Sequence, residues 1–191
     1  MSQILYKYRP LKNFKYLVDI LINGRLHASR YTDLNDPMEG HYCYRGNRLD
    51  ASMRDKLRGE KEELRICSLS EDADNVLLWS HYADGHRGVA IGVELAEGYR
   101  ADVVRYCGLP EICTDELAFW SARKILTCKV EAWAYEKERR VFVKGKCYVP
   151  VKVREIIAGR EMRSSDYELI RKLAGLVDSS IVVRKAGEER G

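Results

Sequence analysis

The chain has 191 residues, 46% hydrophobic and 32% charged, which is ordinary globular composition and excludes a disordered reading. The net charge of +4 falls short of the strong basic field of a dedicated DNA-binding domain, while permitting an anionic partner. No apolar run reaches the roughly 18 residues needed to cross a bilayer, and Met1 to Lys7 lacks the pattern of a signal peptide, so a cytoplasmic protein without a membrane partner is expected.

In chain order, Ile4 to Tyr8 is a short β-prone stretch. Asn13 is placed to cap a helix whose Phe14, Leu17, Val18 and Leu21 share one face, and Gly24 stands where a left-handed residue ends it. Leu26 and Ala28 alternate with polar residues as a second strand. A loop follows from Tyr31 to Glu39, in which Pro37 drives Asp36 away from helical angles. Asp50 to Glu63 reads as a charged, exposed helix and Leu64 to Ser68 as a strand. Asp74 or Asn75 can cap a helix to about Ala83, closed by Gly85. Val89 to Val93 and Val103 to Tyr106 read as strands, and Asp115 to Leu126 as a helix. Arg140 to Val143 and Cys147 to Val151 are spaced as a hairpin across Lys144-Gly145-Lys146. Val153 to Ala158 is a further strand. Ser165 and Glu168 have capping-box spacing ahead of a helix with a Tyr167, Ile170, Leu173, Ala174 stripe. Ser180 to Arg184 is a last strand. These elements predict one α+β domain over residues 1–185, with a mixed or antiparallel sheet flanked by helices, and a disordered tail over 186–191. The six cysteines form no C-x-x-C pair and no zinc spacing, and they read as reduced and mostly buried.

Four clusters stand out. The richest is Leu78 to Gly88, which holds two of the four histidines beside Trp79, Ser80, Tyr82 and two glycines. Two readings stand: Trp79 and Tyr82 in the core with His81 and His86 bonding loop carbonyls, or Ser80, His81 and Tyr82 lining a pocket, with Gly85 and Gly88 admitting a ligand close to backbone. A Ser–His catalytic pair is disfavoured, because adjacent helical positions diverge, and a metal site lacks a carboxylate partner. The second cluster is Trp133 to Val143. If Glu138 begins a strand, then Glu138, Arg140 and Phe142 share a face near Trp133 and Tyr135; the alternative is a helical turn with a Glu136–Arg140 ion pair. The third is Tyr6 to Pro10, with Tyr6 and Tyr8 on one side and Lys7 and Arg9 on the other, where Arg9 is either a solvated edge cation or an anion ligand. The fourth, Asn35 to Glu39, is a turn whose carboxylates Asp36 and Glu39 can also pair with Arg9 or bind a ribose.

A Lys-Tyr-Arg start, an Asn-Asp-Pro-x-Glu loop, a Trp-Ser-His-Tyr-Ala-Asp-x-His-x-Gly segment and a Tyr-Glu-x-Glu-x-Arg strand occur in that order. The set resembles a widespread bacterial family catalogued as a domain of unknown function, over Leu5 to about Leu173. More distantly, the first strand, the capped helix ending in Gly-x-Leu and the late glutamate before Val-Phe-Val look like the DNA-modifying ADP-ribosyltransferase toxins.

That second resemblance implies an ADP-ribosyltransferase-like fold, NAD as substrate, no metal, and mono-ADP-ribosyl transfer by a toxin or phage-defence effector. It implies a nucleic-acid acceptor and an antitoxin or regulatory partner. Carried over by motif, Arg9 would hold a ribose or phosphate edge and Glu138 would stabilise the ribosyl cation. Tyr31 or Tyr82 would supply the aromatic, although Tyr8-Arg9 stand where a histidine is commonest. Tyr8, Tyr31, Asn35 and Asp36, with Ser80, His81 and Tyr82, make up the expected cofactor-binding set. Glu39, His86, Trp133, Glu136 and Arg140 are expected to support it. The transferase reading requires Arg9, Ser80 to Tyr82 and Glu138 to converge on one pocket. Two alternatives are a non-catalytic module sensing a nucleotide or phage component, and a phosphodiester-cleaving enzyme using His81, His86 and Glu138.

Overall fold

A computed structural model describes residues 3–46, 50–113 and 122–188. In chain order it contains strands β1 (Leu5–Arg9), β2 (Arg25–His27), β3 (Cys43–Arg45), β4 (Leu64–Ser70), β5 (Val89–Leu95), β6 (Asp102–Val103), β7 (Arg105–Tyr106), β8 (Glu111–Cys113), β9 (Cys128–Lys129), β10 (Glu138–Lys144), β11 (Tyr148–Ala158) and β12 (Val182–Lys185). The helices are α1 (Phe14–Asn23), α2 (Ala51–Glu63), α3 (Val76–Tyr82), α4 (Ala122–Ile125) and α5 (Ser164–Val177). The main sheet runs β12-β11-β5-β1-β4-β10-β6, with β2 against the start of β11. It is antiparallel except where β12 joins β11, and the small pairs β3–β8 and β7–β9 are parallel. The α+β class with a mostly antiparallel sheet and flanking helices is as expected.

Strand alternation divides the sheet into two unlike faces. Leu5, Ile91, Val93, Val141 and Val153 point to the face covered by α1 and α5, whose Leu17, Ile20, Leu21, Ile170 and Ala174 are buried there. Each such side chain contributes on the order of 1.5–3 kcal/mol by leaving water. The opposite face carries Tyr6, Tyr8, Ala90 and Ile157 under Trp79 of α3. The polar side chains of β10, Glu138 and Arg140, lie opposite Ser70 and Ser68 of β4.

The sheet is split at its middle. β1 pairs with β5 through five residues but meets β4 only at Tyr6 opposite Ser70. Beyond that point β1 and β4 diverge, and Ser29 takes up the freed backbone of Ile66 through two hydrogen bonds. Lys7 reaches across the opening and donates from Nζ to the Ser68 carbonyl at 2.8 Å.

Several local expectations need correction. β10 and β11 do not form a hairpin; β10 pairs with β4 and β6, and β11 with β5, β2 and β12. Both strands have long apolar partners elsewhere in the sheet, and those override the short connection. Cys147 to Val151 and Val153 to Ala158 form one strand with a bulge between Val153 and Glu155. The stretch from Val103 to Tyr106 divides between two sheets. Asn13 and Ser165 do not cap: a helical turn at Leu11–Asn13 precedes α1, and α5 starts at Ser164 without a side-chain cap. The cap of α3 is Asn75, whose Oδ1 accepts from Leu77 and Leu78. α2 is not wholly exposed, since Leu57 and Lys61 are buried. Most of the helix expected over 115–126 lies outside the described residues; α4 is its described part. Of the six free cysteines, Cys43, Cys107 and Cys147 are exposed rather than buried. Among the described residues no helix is long and apolar enough to cross a membrane.

Candidate functional site

The opening between β1 and β4 leads into a cavity of about 250 Å³. Its walls are Tyr6, Lys7 and Tyr8 from β1, Ser68 to Ser70 from β4, and Leu78 and Tyr82 from α3. Asp33, Leu34 and Asn35 form the rim, and the floor is Glu39, Lys129, Glu136, Glu138 and Arg140. The floor is a continuous buried ion network. Arg140 is fully buried, and its guanidinium donates to Glu39 from Nη1 and Nη2 at 2.6 and 2.7 Å. It donates to Glu138 from Nε and Nη2 at 2.8 and 2.9 Å, and to the Leu126 carbonyl at 2.5 Å. Lys129 Nζ donates to Glu136 at 2.5 Å and to Glu138 at 3.2 Å, with its ammonium 4.8 Å from the Trp133 ring centroid. The Tyr82 hydroxyl donates to Glu136 at 2.6 Å and accepts from Asn35 Nδ2 at 2.6 Å. Around this chain, Ser70 Oγ donates to the Glu136 carbonyl and the Glu138 N–H donates to the Tyr106 hydroxyl.

Burial opposes the charge on Glu138, but Arg140 and then Lys129 outweigh it and hold the carboxyl at about 2. Glu39 goes the other way: burial exceeds the help of Arg140, and its pKa is raised. Burial lowers Lys7 from its ordinary value, and burial followed by Glu136 raises the Tyr82 phenol. Glu138 is therefore a fixed anion at neutral pH and no proton carrier. It can act on a ligand through its field alone.

A pH dependence follows. The folded value of Glu138 lies below its ordinary 4.5, so its contribution to stability is complete above pH 4.5 and is lost as pH falls toward 2. Glu39, raised above 4.5, has the opposite sign: its contribution is present in acid and lost as pH rises through its folded value. Thermal midpoints measured against pH should fall between 4.5 and 2, and less steeply in Glu138→Gln than in the parent chain. Equal slopes would contradict the assignment to Glu138.

Of the expected site residues, Glu138, Tyr8, Asn35 and Tyr82 line the cavity, together with Glu39, Glu136 and Arg140 from the expected support set. The Glu136–Arg140 ion pair of the alternative reading is not formed; Glu136 pairs with Lys129, and Arg140 with Glu39 and Glu138. Arg9 does not share the cavity. Alternation along β1 sends it to the face of Leu5, where it lines a separate cavity beside Tyr16. Tyr31 lies in another cavity against Lys61. Asp36 is buried in its own turn, accepting from the Met38 N–H at 2.9 Å. Ser80 donates back to the Val76 carbonyl, and exposed His81 lies 3.3 Å from the Tyr135 hydroxyl. His86 stacks on Trp79, whose Nε1 donates to the Ala73 carbonyl. Trp133 meets the site through Lys129, whose ammonium lies over its ring.

Gly88 admits backbone rather than a ligand: a Cβ there would stand 2.2 Å from the Arg9 carbonyl oxygen. Asp84, Gly85 and His86 take three successive positive φ angles, turning the chain from α3 into β5. Leu78 to Gly88 is thus mainly a structural corner that supplies the site with Leu78 and Tyr82.

Sequence reasoning missed Lys7 as a wall residue, the serines of β4, and Lys129. Their signals are visible. Lys129 is the one charge between Ile125 and Val130, and Ser68 and Ser70 alternate with apolar residues on a strand. Among the described residues, no cluster of three His, Cys, Asp or Glu side chains is arranged to hold a metal ion. No family model, curated protein or solved structure matches the chain.

Proposed function

We propose that the cavity between β1 and β4 is the binding site of a nucleotide-sensing module, recognising the ring-and-sugar part of its ligand. The carrying observation is the charge of the lining. Four carboxylates (Asp33, Glu39, Glu136, Glu138) face three cations (Lys7, Lys129, Arg140), which leaves one negative charge in excess. Such a lining disfavours a phosphate and favours a neutral or cationic hydrogen-bonding ring. Tyr6, Tyr8 and Tyr82 supply aromatic edges, while Ser68, Ser70 and Asn35 offer groups for sugar hydroxyls. At about 250 Å³ the cavity is just below the usual range for drug-sized ligands, and it suits one ring and one sugar rather than a whole dinucleotide.

A transferase in which Arg9 holds the ligand opposite Glu138 does not fit this geometry, because the two residues occupy different faces of the sheet. A second reading, NAD-dependent mono-ADP-ribosyl transfer without Arg9 on an ADP-ribosyltransferase-like fold, is favoured by one observation. Glu136 and Glu138 both face the cavity, and Glu138 stays ionised where a ribosyl cation would form. The cationic nicotinamide ring of NAD has the charge that the lining favours. The phosphodiester-cleaving reading has no such support, since neither His81 nor His86 lines the cavity.

One experiment separates the readings: NAD is added, binding is followed by thermal shift, and free nicotinamide is measured. Binding without nicotinamide release supports the sensing module. Release that disappears in Glu138→Gln, with circular dichroism unchanged, supports the transferase. No shift with NAD or with nicotinamide riboside overturns both.

A further inference from the structure

We propose that the cavity on the α1 face of β1 is a second binding site, one that takes the phosphate of a nucleotide with its base on an exposed tyrosine. This cavity, of about 530 Å³, lies on the face opposite the first site and includes Arg9, Lys15, Arg25 and His27. Its charges are unbalanced. Asp19, the one acid in its lining, is held by Arg25 at 2.8 Å and by Asn23 at 2.6 Å. Among the described residues, no carboxylate forms an ion pair with Arg9 or Lys15. Arg9 Nε is buried with no hydrogen-bond partner. An anion entering this cavity would pair with the Arg9 charge, which no carboxylate neutralises among the described residues.

The aromatic rings point the same way. Tyr16 and Tyr148 are 49% and 38% exposed, so both rings are accessible at the edge of this cavity. Tyr16 lies 5.9 Å from the Arg9 guanidinium and 5.3 Å from Lys15 Nζ. Tyr148 lies 4.0 Å from the Arg25 guanidinium. Cations interleaved with exposed rings form the combination that holds phosphate and stacks a base. A free mononucleotide and a nucleotide within a single strand offer the same chemistry.

The site is independent of the reading given to the first cavity, and calorimetric titration tests it with four probes: AMP, inorganic phosphate, adenosine and a short single-stranded oligoadenylate. AMP is expected to bind more tightly than either phosphate or adenosine. Arg9→Gln should weaken AMP about tenfold or more, as loss of a charge-assisted hydrogen bond implies. Lys15→Glu, at an exposed position, should weaken it in the same direction without touching the fold. Lys56→Glu, the same charge reversal on the exposed face of α2 and outside both cavities, should leave AMP binding unchanged. An oligonucleotide that binds more tightly than AMP, with steep salt dependence, identifies a strand as the source; one that binds no better identifies the free nucleotide. Absence of binding by AMP and oligoadenylate, AMP binding no tighter than phosphate, or affinities unaltered in both Arg9→Gln and Lys15→Glu would overturn the proposal.

Discussion

Replacing Arg140 by methionine is expected to lower the free energy of unfolding by about 3–5 kcal/mol, the cost of leaving buried carboxylates without their cation. Arg140 is fully buried and is the only cation bonded to Glu39 among the described residues. Its loss strands Glu39 at the floor of the cavity and leaves Lys129 as the one cation paired with Glu138 among the described residues. Methionine fills comparable apolar volume, so the deficit reports charge rather than a void. Urea unfolding measures it, and adding Glu39→Gln and Glu138→Gln to Arg140→Met should recover much of the loss. A single-variant loss below about 1 kcal/mol would show that the network is solvated, as surface pairs are.

The second large effect is steric. A Cβ built on Gly159 would stand 1.9 Å from the His86 carbonyl oxygen, and one on Gly88 2.2 Å from that of Arg9. Both partners are backbone, tied by hydrogen bonds from Gly159 N to Gly88 O and from Glu161 N to His86 O. Neither clash can be relieved by rotating a side chain. Gly159→Ala and Gly88→Ala should each cost about 3 kcal/mol, the upper end for overpacking, with losses visible in thermal midpoint and urea midpoint alike. The exposed Gly175 of α5 is the control: a Cβ there meets nothing, and Gly175→Ala should stabilise slightly. If all three variants behave alike, the close approach at the α3–β5 corner is not what requires glycine.

The sequence made the periodic parts of the fold legible. α1 and the stripe of α5 follow from spacing, because each buries one face against the sheet, and β5 follows from a short apolar run that is buried on both faces. Pairing was not legible. Cys147 is close to the turn at Gly145, yet the partner of Val151 is Leu95, 56 positions earlier. Local spacing carries no record of such a long-range choice. The site was half legible. Glu138 and Arg140 could be placed on one face of a strand, and Tyr82 and Asn35 stood in motifs. Arg9 was misplaced because alternation assigns it a side of β1 but does not say which side holds the cavity. Lys129 became visible as a partner only once its ammonium lay against Glu136 and Glu138.

The most direct test of the central claim is calorimetric titration of nicotinamide riboside, a cationic ring and sugar without phosphate, into the parent chain and into Asp33→Lys. Asp33 is exposed at the rim, so its reversal changes the charge at the mouth without disturbing the floor. The account predicts saturable binding that weakens roughly fivefold in Asp33→Lys, about 1 kcal/mol, with the difference shrinking at high salt. Absence of binding, or binding that tightens when the lysine is introduced, would contradict it.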